Sequence, residues 1–232
     1  MYKFEIHMHN KGCSACSSTS VFDLIDKSYE KGYSGLVFTN HFYRGNSAVD
    51  RALPWEDFVN VYKNSYLEAE EYAKKYNMVI LFGVEHGYDT GKELLIYGLS
   101  PDDFIKTPEF RTMDLKGISE FVHENNGLVV VAHPYRVKSW IPEPDKTPDP
   151  LLIDGVEAYN DGNTEEENNK AFAFARKHNL LQTSGGDIHN TGSIGNSGIV
   201  FEKPVCSRED FVSAIKNKEY KLIIGDEFID ID

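Results

Sequence analysis

The sequence predicts an α/β protein in which a mainly parallel sheet, with helices outside it, closes or nearly closes into a barrel. Two observations carry this. Strand-like and helix-like segments alternate from one end of the chain to the other. And short apolar runs end repeatedly in His, Asp or Glu, as strands do where they deliver side chains to one face of a barrel. An open, doubly wound sheet is the alternative arrangement of the same elements.

The elements follow in order. Lys3–His9 alternates Phe4, Ile6 and Met8 with Glu5, His7 and His9, the period of a strand. Val21, Leu24, Ile25 and Tyr29 share a helical face, with Ser20 as N-cap and Gly32 as the stop. Residues 35–40 form a short buried strand, 55–76 the longest helical pattern, and 78–84 and 94–99 two further strands. A helix over 115–125 ends at Gly127 and leads into a strand over 128–132. Then come a strand at 155–159, a helix at 165–178 and a strand at 180–184. A strand–helix–strand unit at 199–202, 208–216 and 220–224 completes the chain. Two loops containing Pro or Gly, 42–54 and 137–150, each follow a strand and belong on the catalytic face of a barrel.

The 232 residues suit one domain spanning 1–232, with 41% hydrophobic and 26% charged residues as in globular proteins. A net charge of −13 argues against a duplex nucleic-acid partner, which needs excess Lys and Arg. Three cysteines, Cys13, Cys16 and Cys206, are too few for a disulfide framework and fit a reducing compartment. The start MYKFEIHMHN has neither the charge nor the apolar run of a secretory signal, and no stretch is long enough for a membrane helix. The expectation is a cytoplasmic protein with no membrane association; its oligomeric state is not legible.

His7 and His9, at i and i+2 on a strand, point to the same side and can share a metal ion. His41, Glu85 and His133 end three later strands, and Asp187 and His189 repeat the i, i+2 spacing after another. Convergence of these side chains predicts a metal centre. His86 is turned the other way by strand alternation and is expected to be structural, while His123 and His178 sit near helix C-termini, where the dipole suits them. Arg136, just past His133, is placed to fork onto a phosphate; Arg44 and Arg51 are weaker candidates. Tyr135 and Trp140 can wall a substrate pocket, and Asn160 can orient substrate or water.

The motifs EIHMH, FTNH, FGVE, VAHPYR, GVEAYN and SGGDIH, in this order, resemble the PHP (polymerase and histidinol phosphatase) family along nearly the whole chain. The resemblance implies a distorted (βα)7 TIM-like barrel and two or three divalent transition metals, Zn, Mn or Fe. It implies that His7, His9, Glu85 and Asp187 hold the first metal, that Glu85 bridges to a second with His133, and that His41 and His189 help hold a third. Three departures stand out. Asn40 replaces an Asp that orients ligands, Glu93 is the nearest ligand where many members have a His, and Cys13 and Cys16 occupy the region of a further His.

The expected activity is hydrolysis of a small phosphomonoester, such as histidinol phosphate, a nucleotide or another phosphorylated metabolite, by metal-activated hydroxide. His189 or His41 would protonate the leaving group, and Arg136 would grip the phosphate. The alternatives are an amidohydrolase-type metal enzyme and a non-catalytic metal-binding accessory domain.

Overall fold

The computed structural model describes residues 1–231. Among the described residues, ten strands form one sheet in the order β10-β9-β8-β1-β2-β3-β4-β5-β6-β7. The first seven are β1 (Tyr2–Met8), β2 (Tyr33–His41), β3 (Val79–Asp89), β4 (Lys92–Tyr97), β5 (Leu128–Val131), β6 (Gly155–Asn160) and β7 (Leu181–Gly185). The others are β8 (Ile199–Phe201), β9 (Tyr220–Ile224) and β10 (Glu227–Asp230). Six α-helices lie between them: α1 (Val21–Glu30), α2 (Trp55–Ala73), α3 (Pro101–Ile105), α4 (Leu115–Glu124), α5 (Glu165–His178) and α6 (Arg208–Lys216).

The sheet curls until its β7 end returns to β1. Just beyond β7, Ile188 forms a parallel bridge with Met8. There the His9 amide donates to the Ile188 carbonyl at 2.8 Å and the Ile188 amide to the His7 carbonyl at 3.0 Å. The same edge of β1 is therefore shared: its first half pairs with β8 and its second half with the segment after β7.

The β1–β2–β3 and β5–β6–β7 pairings are parallel, as the βα alternation predicts. Between them the alternation breaks, because β4 runs antiparallel to both β3 and β5. The β3–β4 link is a tight turn at Thr90–Gly91, whereas a parallel return needs on the order of a dozen residues. Gly91 sits there at φ +68, which a side chain would oppose. The fold is thus mixed α/β on a curled sheet, and β8, β9 and β10 add a second antiparallel stretch.

Local chemistry explains the helices. The Ser20 side chain accepts from the Asp23 amide and caps α1, as the sequence suggests. Thr164 and Glu167 close a capping box on α5, and Ser100 and Asp103 one on α3. Apolar clusters fill both sides of the sheet: Phe4, Ile6, Tyr97 and Phe201 contribute to one, and Phe42, Phe58, Phe104 and Phe110 to another. Among the described residues no helix is long and apolar enough to cross a membrane.

Candidate metal centre

Glu5, His7 and His9, the polar half of the β1 alternation, are fully buried. Burial of three ionisable groups on one strand is costly unless each is paired or ligated. Glu5 accepts from the backbone amides of Ile6, His7 and Gly186 and from the Ser197 hydroxyl, so it ties β1 to the segment after β7. Burial still lifts its pKa to about 6 against those hydrogen bonds.

His7 and His9 are oriented from behind. The Glu157 carboxylate lies 2.8 Å from His7 Nδ1, and Ser14 Oγ lies 3.0 Å from His9 Nδ1. The Ser14 hydroxyl donates onward to Asn40 Oδ1 at 3.1 Å, so it must accept from His9. His189 Nδ1 donates to the Asp187 carbonyl at 2.7 Å. In each ring, once it is neutral as a metal ligand must be, Nδ1 carries the hydrogen and Nε2 offers its lone pair inward. The amide at Asn40 thereby fixes the His9 tautomer through Ser14 without adding charge.

The atoms that face inward are poorly partnered. His7 Nε2, His9 Nε2, His41 Nδ1, Glu85 Oε2 and Asp187 Oδ1 are all buried without a well-directed hydrogen bond, although they crowd one another as ion pairs, His41 Nδ1 and Glu85 Oε2 at 2.8 Å and His9 Nε2 and Asp187 Oδ1 at 3.1 Å. Such orphaned atoms are rare, and five of them surrounding one space fit a cation site. His7, His9, Glu85 and Asp187 offer ligand atoms within 4.8 Å of one another, as do His41, Glu85 and Glu93, and also His9, His41 and His189. Glu85 belongs to the first two groups: its Oε1 is 3.4 Å from His7 Nε2 and 3.1 Å from His133 Nε2, and its Oε2 is 2.8 Å from His41 Nδ1. His133 also lies 3.8 Å from Glu93. The mixed imidazole and carboxylate donors suit Zn, Mn or Fe.

The electrostatics match. Burial disfavours the Glu85 carboxylate, but His41 and His7 overcome this and hold it well below the usual range. Burial is likewise outweighed at Asp187, by His7, His9 and Arg136. His7 and His41 are pushed upward by the carboxylates despite their burial, whereas burial and the neighbouring His41 take His9 down to about 3. Protons on His7 and His41 thus balance the carboxylates in the metal-free chain, and cations would displace them.

Two ligand positions hold unusual backbone. His133 and Asp187 have φ 30 and 50, whereas the other non-glycine residues with positive φ are Asn77, Asn126, Asn179 and Lys218. Asn, Asp and His are the side chains that best tolerate this region, and at His133 and Asp187 the left-handed backbone falls on two candidate ligand positions, as such conformations often do at functional sites. The His133 amide is held at 3.0 Å by Glu157, and Arg136 grips Asp187 at 2.5 Å.

The other candidate residues are placed as follows. Arg136 is engaged on three sides, with Asp187, with Asn160 at 2.7 Å and with Asn163 at 2.8 Å, while still lining a cavity of about 530 Å³ above the ligands. Asn160 is fully buried and donates to Glu157 at 2.8 Å, so it supports Arg136 and Glu157. Tyr135 packs beside Phe174, outside the cavity lining. Trp140 and Cys16 do line it. Arg44 and Arg51 donate to backbone carbonyls of Arg111 and Tyr43. His86 faces the aromatic cluster, 4.7 Å from the Phe110 ring, and His123 pairs with Asp154 at 3.0 Å.

Sequence reasoning gave Glu157 no role. Its signal was a carboxylate inside the otherwise apolar strand GVEAYN. Gly185 makes room for it, since a Cβ there would fall 2.4 Å from Glu157 Oε1 and 2.6 Å from His7 Cβ.

Residues 165–220 match the PHP-associated family model, PHP_C. A two-domain protein from Bacteroides vulgatus, containing a predicted PHP-like metal-dependent phosphoesterase, superposes with TM-score 0.71 at 14% identity. The alignment covers 98% of this chain and 66% of that one, so this chain spans under two thirds of that protein. The chain has the PHP fold. The resemblance read from the PHP motifs is borne out. An amidohydrolase from Chromobacterium violaceum, with bound sulfate and no metal, superposes at TM-score 0.59 and 14% identity, over 91% of this chain and 96% of that one. A lesion-specific endonuclease from Pyrococcus furiosus aligns at TM-score 0.57 and 14% identity, over 95% and 57%. No curated protein matches the chain in sequence. At such identities the likeness speaks for fold, and the chemistry must be argued from the site.

Proposed function

We propose that the chain is a metal-dependent phosphoesterase acting on small phosphomonoesters. The observation that carries this reading is the set of five orphaned inward-facing atoms on His7, His9, His41, Glu85 and Asp187 beneath a cavity that Arg136 lines. His7, His9, Glu85 and Asp187 would hold one cation, and Glu85, Glu93, His41 and His133 a second. Bound there, such cations supply an activated water and neutralise charge on the phosphoryl group.

The chain's own residues do the rest. Glu157 and Ser14 hold the His7 and His9 rings in register. Among the described residues lining the cavity, Arg136 is the one Arg or Lys side chain, so it gives an anion a fixed positive charge in an acidic protein. His189, with Nδ1 committed to the Asp187 carbonyl, presents Nε2 to the cavity and would pass a proton to the leaving oxygen. His41 is the alternative donor. Amide hydrolysis is the competing reading, because it could use the same ligands; the Arg136 charge favours a phosphate anion.

The test is to reconstitute the protein with Mn, Zn or Fe and assay orthophosphate release across phosphorylated metabolites, with cyclic amides run alongside. Metal-dependent phosphate release is expected, and His189→Ala should cost alkyl phosphates more than aryl phosphates, whose leaving groups need little protonation. Turnover of cyclic amides with no phosphate release would replace the phosphoesterase reading with the amidohydrolase one.

A further inference from the structure

Away from the ligands the cavity changes character. Its lining also includes Gly91 of the β3–β4 turn and Trp140 and Ile141 of the loop after β5. The Trp140 side chain is exposed, with a relative accessibility of 66%. Trp55, in contrast, is buried and donates from Nε1 to the Phe104 carbonyl at 2.7 Å.

The loop that carries Trp140 is fastened at several points. Lys92 is buried, and its ammonium donates to the carbonyls of Pro134 and Pro144 at 2.7 Å each. Lys146 pairs with Asp89 at 2.6 Å, and the Val137 amide donates to Glu167 at 2.6 Å. The turn fits under the loop so closely that a Cβ on Gly91 would come within 2.9 Å of Ile141 Cγ1 and 3.0 Å of the Trp140 carbonyl. An aromatic ring on a fastened loop gives up little freedom when it meets a ligand. The chain thus keeps a large apolar ring exposed at the mouth of a cavity whose floor is built for a cation and an anion.

We propose that Trp140 is a stacking wall, and that the site selects phosphomonoesters whose leaving group carries a flat aromatic or heteroaromatic ring. This rests on the phosphoesterase reading and narrows its substrate class. The cavity, about 530 Å³, has the size of a small-molecule site. With a chain charge of −13, this points to a single ring-bearing ester and away from a polyanion.

The test compares phenylphosphonate with methylphosphonate, and benzoate with acetate, as ligands of the metal-loaded protein. Binding is read by inhibition and by Trp fluorescence. Phenylphosphonate is expected to bind on the order of tenfold more tightly than methylphosphonate, the scale of one stacked ring. Trp140→Ala should bring that ratio close to one, and Trp140→Phe should keep most of it. The fluorescence response should disappear in both variants, since Trp55, the other tryptophan, is buried and does not line the cavity. If Trp140→Ala retains the full ratio, the stacking wall is refuted. Equal binding of phenyl and methyl compounds also refutes it, while phosphonate binding leaves the phosphoesterase reading intact. If neither phosphonate binds but benzoate still outcompetes acetate through Trp140, the wall stands and the phosphate reading falls.

Discussion

Replacing Glu157 by Gln should disable His7 as a metal ligand while leaving the His7 side chain itself unchanged. Glu157 Oε1 faces His7 Nδ1 at 2.8 Å, while Oε2 accepts from the His133 amide at 3.0 Å and from the Asn160 side-chain amide at 2.8 Å. A glutamine must keep its oxygen where two fixed donors meet, so its NH₂ group faces His7. His7 Nδ1 then has to accept, the hydrogen moves to Nε2, and the lone pair aimed at the metal is lost. Loss of such an orienting partner lowers metal affinity about 10- to 100-fold, or about 1.4–2.7 kcal/mol. The near-isosteric side chain still fits beside Gly185. Titration against a metal-binding dye gives the affinity, nitrogen NMR of the His7 ring gives the tautomer, and thermal melting of the metal-free protein controls for folding. If Glu157→Gln binds metal as tightly as the parent, with the His7 hydrogen still on Nδ1, the orienting role is refuted.

Three further outcomes are expected. Glu85→Gln should lose at least one cation by metal analysis, because Glu85 touches both ligand groups; His86→Leu should keep the metals and gain about 1 kcal/mol of stability, since both ring nitrogens are buried without partners and burial takes the ring pKa to about 3. Equal metal loss in the two variants would refute the strand parity. Arg136→Lys should weaken metal binding about tenfold, because one ammonium cannot replace the contacts to Asp187, Asn160 and Asn163; an unchanged metal affinity with a raised KM would make Arg136 a phosphate clamp alone. At Asp103, burial is outweighed by Ser100 and Arg208, so the folded pKa lies below 3.8. The carboxylate therefore adds stability that is complete well above pH 3.8 and is lost as pH falls through the folded pKa. Asp103→Asn should lower stability by about 1 kcal/mol near neutrality and less in acid, as melting against pH will show; a loss that does not change with pH would refute the charge contribution.

Much of the site was legible because the side-chain period of a strand is strict. His7 with His9 follows from i, i+2 spacing, and Glu85 and His86 are told apart by parity; Asp187 and His189 lie past the end of β7, with Asp187 at φ 50, so the turn after the strand and not its period brings them to the site. The alternation was less informative about the sheet. It implied a mainly parallel barrel, yet β4 runs antiparallel, and the Asp89–Lys92 stretch that turns the chain carries just one Gly to signal a hairpin. Short β10 and α3 escaped notice because so few residues carry no clear period. Glu157 and Ser14 were missed for another reason. They act through hydrogen bonds across 150 and 5 positions of sequence, and nothing local marks a carboxylate or hydroxyl as the partner of a distant ring.

The shared edge of β1 has a mechanical meaning. His7 and His9 lie on one side of the seam that closes the sheet, and Asp187 lies on the other, beside the hydrogen-bonded pair at Ile188. A cation gripped by all three is a rivet through that seam. Chelation then removes a fastener as well as a reagent, and hydrogen exchange at Ile188 and His9 should quicken before the helices feel any change. If cations bind as proposed, a chain stripped of them would open first along one line, between the strand that begins it and the segment that follows β7.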